Sequence, residues 1–303
     1  MTSCVLVVLL LCTAITSMSA RVEFEQIQLK PRGGDGDDEL FQLRHKLIDT
    51  TLHSQNIKGH AFFVKQWLDA STFHVYCVGD SYCRGSAPAS QASKEHDCIL
   101  ATNANFQDDE SQMPAGNLVS DGTVVQANTL MRASFGLTTN GWLSVGYLNI
   151  SWIEQGYYQE LLQGSLWLVR KGQSFINTSI QWEQPNPAFV AKRCSRMAIG
   201  TNIHSEIVIV QVNGDEKQGT GLDLFTFTEL LLQLSDEATN FINIDGAHHA
   251  SVVWDSKVCI AGGEPSDPCD NEVAGKNEPT VLPEALLSTI ICFKPAESQS
   301  SEI

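Results

Sequence analysis

Phe241-Ile-Asn-Ile-Asp-Gly-Ala-His-His-Ala-Ser-Val-Val-Trp254 reads as an apolar strand, a polar break and a second apolar strand. The break packs Asp245, Gly246, His248 and His249 into five residues. One reading is a tight Asp-Gly turn joining two core strands. The other places a carboxylate at the exit of a buried strand, on a sheet edge where a ligand can reach it. The rest of the chain has to decide.

Upstream of this stretch one helix is clear. Leu224, Phe227, Leu231 and Leu234 fall at steps of three, four and three, which makes one apolar face. Asp223 precedes them as N-cap, because its carboxylate can accept the free amide protons of a first turn. Further back lie short strand runs separated by turn signals. Phe73–Val78 and Asp97–Ala101 are the first two, with a Gly/Ser/Ala-rich loop and a short helix between them. Ala133–Leu137 and Trp142–Leu148 flank Thr139-Asn-Gly141, a hairpin signal. Leu166–Arg170 and Ser174–Asn177 flank Lys171-Gly172, and Met197–Gly200 pairs in the same way with Glu206–Val212. Many strands in hairpins and few helices predict an α+β fold with mixed, mostly antiparallel sheets. No linker divides residues 61–295, which are expected as one disulfide-containing domain. Residues 21–60 are weakly patterned and are expected as an N-terminal arm. Residues 296–303 form a polar tail.

The first residues bear on compartment. Val5–Leu11 is an apolar run followed by small and polar residues, as in a secretory signal ending near Ala20. It is too short to span a bilayer, which takes about 20 apolar residues. The expectation is a secreted or lumenal protein with no membrane anchor. The formal charge of −16 argues against nucleic acid as a partner, since like charges repel at long range. Hydrophobic residues make up 43% of the chain and charged ones 18%, which suits a folded domain with a real core. Beyond the signal, Cys77, Cys83, Cys98, Cys194, Cys259, Cys269 and Cys292 are an odd set, so at least one lacks an intrachain partner. Asn149-Ile-Ser and Asn177-Thr-Ser are glycosylation sequons.

No phosphate loop, dinucleotide fingerprint or nucleophile elbow is present, and no cofactor is expected. No cysteine pair has zinc spacing. As strand residues, His248 and His249 would point to opposite faces, so no metal is expected, and a metal-dependent phosphodiesterase using Asp245 and His248 ranks last. Arg196 stands out in a chain poor in basic residues. It either makes a surface salt bridge or presents a planar fork to a phosphate or carboxylate.

Six segments carry a resemblance. They are Asn103-Ala-Asn-Phe106, Gly116-Asn-Leu-Val-Ser-Asp-Gly122, Leu162–Gly172, Arg196-Met-Ala-Ile-Gly200, Gly221-Leu-Asp-Leu224 and Asn243-Ile-Asp-Gly246. In this order they resemble the phosphodiester glycosidase family, over roughly Cys77 to Pro295. The resemblance implies hydrolysis of the bond between N-acetylglucosamine and a phosphate carried by another sugar. The substrate would be a carbohydrate or sugar phosphodiester, free or carried on a glycoprotein. It implies Asp245, Arg196 and Asn103 as catalytic residues. Gly246, Asn243, Asn117 and Asp121 are expected as substrate contacts, and so are His248 and His249, which could supply a proton or bind phosphate. It also implies a Cys98–Cys292 disulfide, a local Cys259–Cys269 bridge, and a Cys83 whose missing partner Cys77 could replace, leaving Cys194 as the odd thiol. The sequence departs from the family where Asp-Gly-Gly-Gly-Ser becomes Asp245-Gly-Ala-His-His249. Met197 likewise replaces a threonine, and Asn103-Ala-Asn-Phe106 replaces Asn-Gly-Gly-aromatic. Glycines would let backbone amides approach a phosphate closely. Their loss supports the alternative of a catalytically silent member that binds carbohydrate or phosphoglycan.

Overall fold

The computed structural model describes residues 22–29, 42–65, 72–108, 110–234, 238–265 and 283–294. The signal segment, the tail and Cys269 lie outside them. Three large sheets carry the fold, and every strand pair registered in them is antiparallel.

The first sheet runs Glu23–Gln28, Trp142–Tyr147, Ser134–Thr138, Tyr158–Gln163, Leu118–Ser120, Thr123–Gln126. The second runs Gln173–Ser174, Trp167–Arg170, Ala238–Ile244, Arg196–Asn202, Glu206–Val212, Gln55–Lys65, Leu43–Leu52. The third runs Glu264–Pro265, Lys257–Ala261, Val252–Trp254, Leu100–Asn103, Thr289–Phe293, Phe73–Cys77. The last strand among the described residues thus lies inside the third sheet.

One core joins the three sheets. Phe135, Leu143 and Val145 from the first meet Ile199, Ile209 and Ile242 from the second, and Val75, Leu100 and Ile291 from the third. Side chains alternate along a strand, so the second sheet has another apolar face. Ala198, Val208, Val210 and Phe241 on that face pack against Leu224, Phe227 and Leu231 of the helix Leu224–Leu234. Asp223 caps this helix, its Oδ1 accepting from the amides of Phe225 and Thr226 at 2.9 Å each.

Three expectations are corrected. Residues 23–28 and 43–60, expected in a separate arm, supply strands to the first and second sheets. Gln55–Lys65 pairs with Glu206–Val212 on one side and Leu43–Leu52 on the other, so much of the arm is integral. Its polar residues face solvent along a long edge hairpin, which hides the pattern. Secondly, the hairpin after Trp167–Arg170 ends at Ser174, and Ile176–Glu183 is a helix. Ser179 of that helix is fully buried and bonds the Trp167 amide, which draws the segment onto the sheet. Thirdly, the opening stretch is not a tight turn, because its two strands belong to different sheets.

Cys77–Cys83 and Cys98–Cys292 are disulfides, and Cys259 is also disulfide-bonded. Cys194 is free and buried, and burial pushes its thiol above the usual range. Among the described residues no helix is long and apolar enough to cross a membrane.

Candidate active site

Residues 245–251 carry the chain from the second sheet to the third. The strand Ala238–Ile244 delivers Asp245, and Val252–Trp254 begins beside Leu100–Asn103. Asn103, the last residue of its strand, holds both ends of this crossing. Its Nδ2 donates to the Asp245 carbonyl at 2.8 Å, and its Oδ1 accepts from the Ser251 amide at 3.0 Å. A carboxamide serves here because it offers a donor and an acceptor a fixed distance apart.

Within the crossing, Ala247–His249 forms one 3-10 turn. Asp245 is 8% exposed and His249 7%. Asp245 Oδ1 accepts from the Gly246 amide at 2.8 Å, and Oδ2 lies 2.9 Å from His249 Nδ1. The turn sets the two side chains at a helical i, i+4 spacing and so joins them. A strand reading of the same residues separates them, and that is why the pair is invisible without the turn. His248 is exposed, with its ring 3.9 Å from that of His249. Ala247 has φ 51°, a left-handed conformation costing an ordinary residue about 1 kcal/mol. The backbone thus takes a glycine-like shape without the glycine. Gly246 permits the close approach beneath it, since a Cβ there would sit 2.8 Å from the Ser195 carbonyl oxygen.

Arg196 does something other than expected. It is 3% exposed, and its guanidinium is spent on backbone carbonyls. Nε donates to Leu222 O at 3.1 Å, and one terminal nitrogen donates to Phe189 O at 2.9 Å and Lys192 O at 2.5 Å. It ties the helix Pro187–Ala191 and the segment before Leu224–Leu234 to the sheet, and burial lowers its pKa. These bonds give Arg196 a structural role. Lys58 and Arg193 line a cleft of about 450 Å³ with Asn213, Gly214, Gly221 and Glu264. There Arg193 Nε donates to Gly221 O at 3.1 Å and a terminal nitrogen to Gln55 Oε1 at 2.8 Å, and Lys58 Nζ lies 3.8 Å from Asp49 Oδ2. The cleft wall reaches the crossing through two backbone bonds, Gly214 N to Gly263 O and Gly263 N to Ala250 O. Burial, with Asp215 nearby, raises the pKa of Glu264. Nothing in the local sequence of Lys58 or Arg193 marks them, since only the fold assembles the cleft.

The remaining expected contacts scatter. Asn243 is fully buried, and neither side-chain polar atom has a hydrogen-bond partner among the described residues. Asn117 is structural in its bonds, accepting from the Asn128 amide at 2.6 Å, while Asn105 Nδ2 holds its carbonyl at 3.1 Å. Asp121 lies past the far end of Leu118–Ser120, beside His74. Of the sequons, Asn177 is exposed on its helix, whereas Asn149 is half-buried and caps Ile150–Glu154 by accepting from Ser151 N at 3.0 Å.

The chain matches known proteins across this region. The family model for phosphodiester glycosidases matches residues 96–293. N-acetylglucosamine-1-phosphodiester alpha-N-acetylglucosaminidase of Homo sapiens is 29% identical over 205 residues, 64% of this chain and 39% of that protein. The Bos taurus enzyme of the same name is 29% identical over 197 residues, 62% of this chain and 36% of that protein. The chain therefore spans between a third and two fifths of these relatives' length. Among solved structures, the zebrafish catalytic domain of that enzyme, auto-inhibited by its pro-peptide, superimposes with a TM-score of 0.72 at 24% identity, covering 90% of this chain and 88% of that one. A hypothetical protein from Synechocystis gives 0.63 at 13% identity, covering 82% and 61%. The family match takes in Asn103, Arg196 and the whole Asp245–Ser251 crossing, and on that match this chain belongs to the phosphodiester glycosidase family.

Proposed function

We propose that the protein is a secreted hydrolase that cleaves a sugar-1-phosphodiester of the N-acetylglucosamine-phosphate-sugar type. Family membership implies a carbohydrate substrate, and the disulfides fit an oxidising compartment. The observation that carries the reading is the Asp245–His249 pair, held at 2.9 Å where the two sheets meet. A carboxylate that orients an imidazole stabilises its protonated form and fixes its ring, as acid–base catalysis needs. In this reading His249 exchanges the proton with the phosphate leaving group, or with the attacking water. Asp245 steadies the charge, and Asn103 positions the backbone of both. Lys58 and Arg193 take the place assigned to Arg196 and receive the phosphate.

The test offers purified protein N-acetylglucosamine-phospho-mannose and measures free sugar. Wild type releases it, and Asp245→Ala lowers the rate by at least about a hundredfold, within the range for a lost acid–base group. No release by wild type would sink the reading.

A second reading has its own support. The amides around the crossing are consumed internally. Gly246 N binds Asp245, Ala247 N binds Ser195 O at 2.9 Å, and His249 N binds Gly246 O at 3.0 Å. Amides so engaged are poor cradles for a phosphate, which favours a binding protein without turnover. Measurable binding of the diester with no release supports this alternative.

A further inference from the structure

A second cluster of imidazole and carboxylates lies at the seam between the first and third sheets. His74 comes from the edge strand Phe73–Cys77, Glu160 from Tyr158–Gln163, and Asp121 from the turn after Leu118–Ser120. Glu160 is completely buried. Its Oε2 accepts from the Val75 amide at 2.9 Å, while its Oε1 has no hydrogen-bond partner among the described residues. His74 Nδ1 is also without one. It lies 3.5 Å from Glu160 Oε1 and 3.5 Å from Asp121 Oδ1. The three ligand atoms are all within 4.8 Å of one another.

These separations discriminate between two explanations. A charge-assisted hydrogen bond between such groups would close to about 2.8 Å. Ligands about 2.0–2.1 Å from a tetrahedral ion stand about 3.4 Å apart. Two of the three edges already have that length. A buried carboxylate oxygen aimed at an imidazole nitrogen, with neither hydrogen-bonded, has the form of a site lacking its central atom. Asp121, at φ 46° and with its side chain 56% exposed, faces solvent, where water can complete the coordination shell.

We propose that His74, Asp121 and Glu160 bind one divalent transition-metal ion, of the zinc or manganese class, which fastens the first sheet to the third. One imidazole nitrogen and two carboxylate oxygens suit such ions better than calcium, which takes six or more oxygens. The site stands apart from the Asp245–His249 pair and does not depend on the enzymatic reading.

The test strips the purified full chain with chelator. Zn²⁺, and separately Mn²⁺, is then titrated in competition with a chromogenic chelator while the melting temperature is followed. The expected result is one high-affinity equivalent per chain for at least one of the two ions, with a rise in melting temperature on loading. Asp121→Asn keeps a residue tolerant of the left-handed backbone and should weaken binding at least tenfold while the stripped protein melts as wild type does. His74→Gln should remove the high-affinity equivalent. The proposal is overturned if wild type takes up neither ion at submillimolar concentration. It is equally overturned if both variants bind like wild type, which would place the ion at other histidines.

Discussion

Two histidine–carboxylate clusters in this protein use the same chemical groups at different spacings. Asp245 and His249 meet at 2.9 Å within one turn, both largely buried. His74 and Glu160 come from two strands and Asp121 from a turn, and His74 Nδ1 stops 3.5 Å from each carboxylate. The first spacing is that of a hydrogen bond, which aligns a proton. The second leaves room for an ion, and the buried Glu160 oxygen gives it a reason to be there. Spacing, more than residue type, therefore separates a proton-transfer pair from a ligand set.

The sharpest test of that contrast is His249→Gln. Glutamine can keep a hydrogen bond to Asp245 but cannot cycle a proton, so activity on the sugar phosphodiester should fall by about a hundredfold or more with little change in melting temperature. An unchanged rate would remove the functional half of the comparison. Next comes Glu160→Ala in chelator-stripped protein. It strands the buried Val75 amide and should cost roughly 1–3 kcal/mol in denaturant unfolding, whereas Glu160→Gln keeps an acceptor and should cost less than about half as much. Equal losses would mean that Glu160 acts through charge alone. Arg196→Lys probes a group that sequence assigns to the first cluster and structure does not. Lysine cannot span the three carbonyls, so stability should drop by about 1–2 kcal/mol while turnover per folded molecule holds. A selective loss of turnover would return Arg196 to the substrate. The smallest effect calibrates the others: Asp223→Ala removes a helix cap that belongs to neither cluster and should cost about 1 kcal/mol by the same unfolding assay.

Much of this was legible in the sequence where the signal is local. The helix at Leu224 and its Asp223 cap, and the hairpin through Thr139-Asn-Gly141, follow from periodicity and turn chemistry. So does the antiparallel character of the sheets. What escaped depends on distant segments. Residues 43–60 look irregular because their hairpin is largely solvated, and their strand nature comes from pairing with Glu206–Val212. Arg196 reads as a binding residue because a lone arginine signals charge, but only the fold brings three carbonyls to it. The His249 partnership needed the 3-10 turn, and His74 with Glu160 needed two sheets to meet.

The position of the final strand has a kinetic consequence. Thr289–Phe293 sits between Leu100–Asn103 and Phe73–Cys77, and Cys292 is bonded to Cys98 across 194 residues. Until that strand has emerged from the ribosome, Phe73–Cys77 and Leu100–Asn103 have no partner between them and the long-range disulfide cannot form. Pairings of such high sequence separation fold slowly, because the long loop must be closed before its contacts repay the entropy. The third sheet, and with it the Asn103 clamp on Asp245, therefore cannot be completed before residues 289–293 have been synthesised, so this crossing matures late.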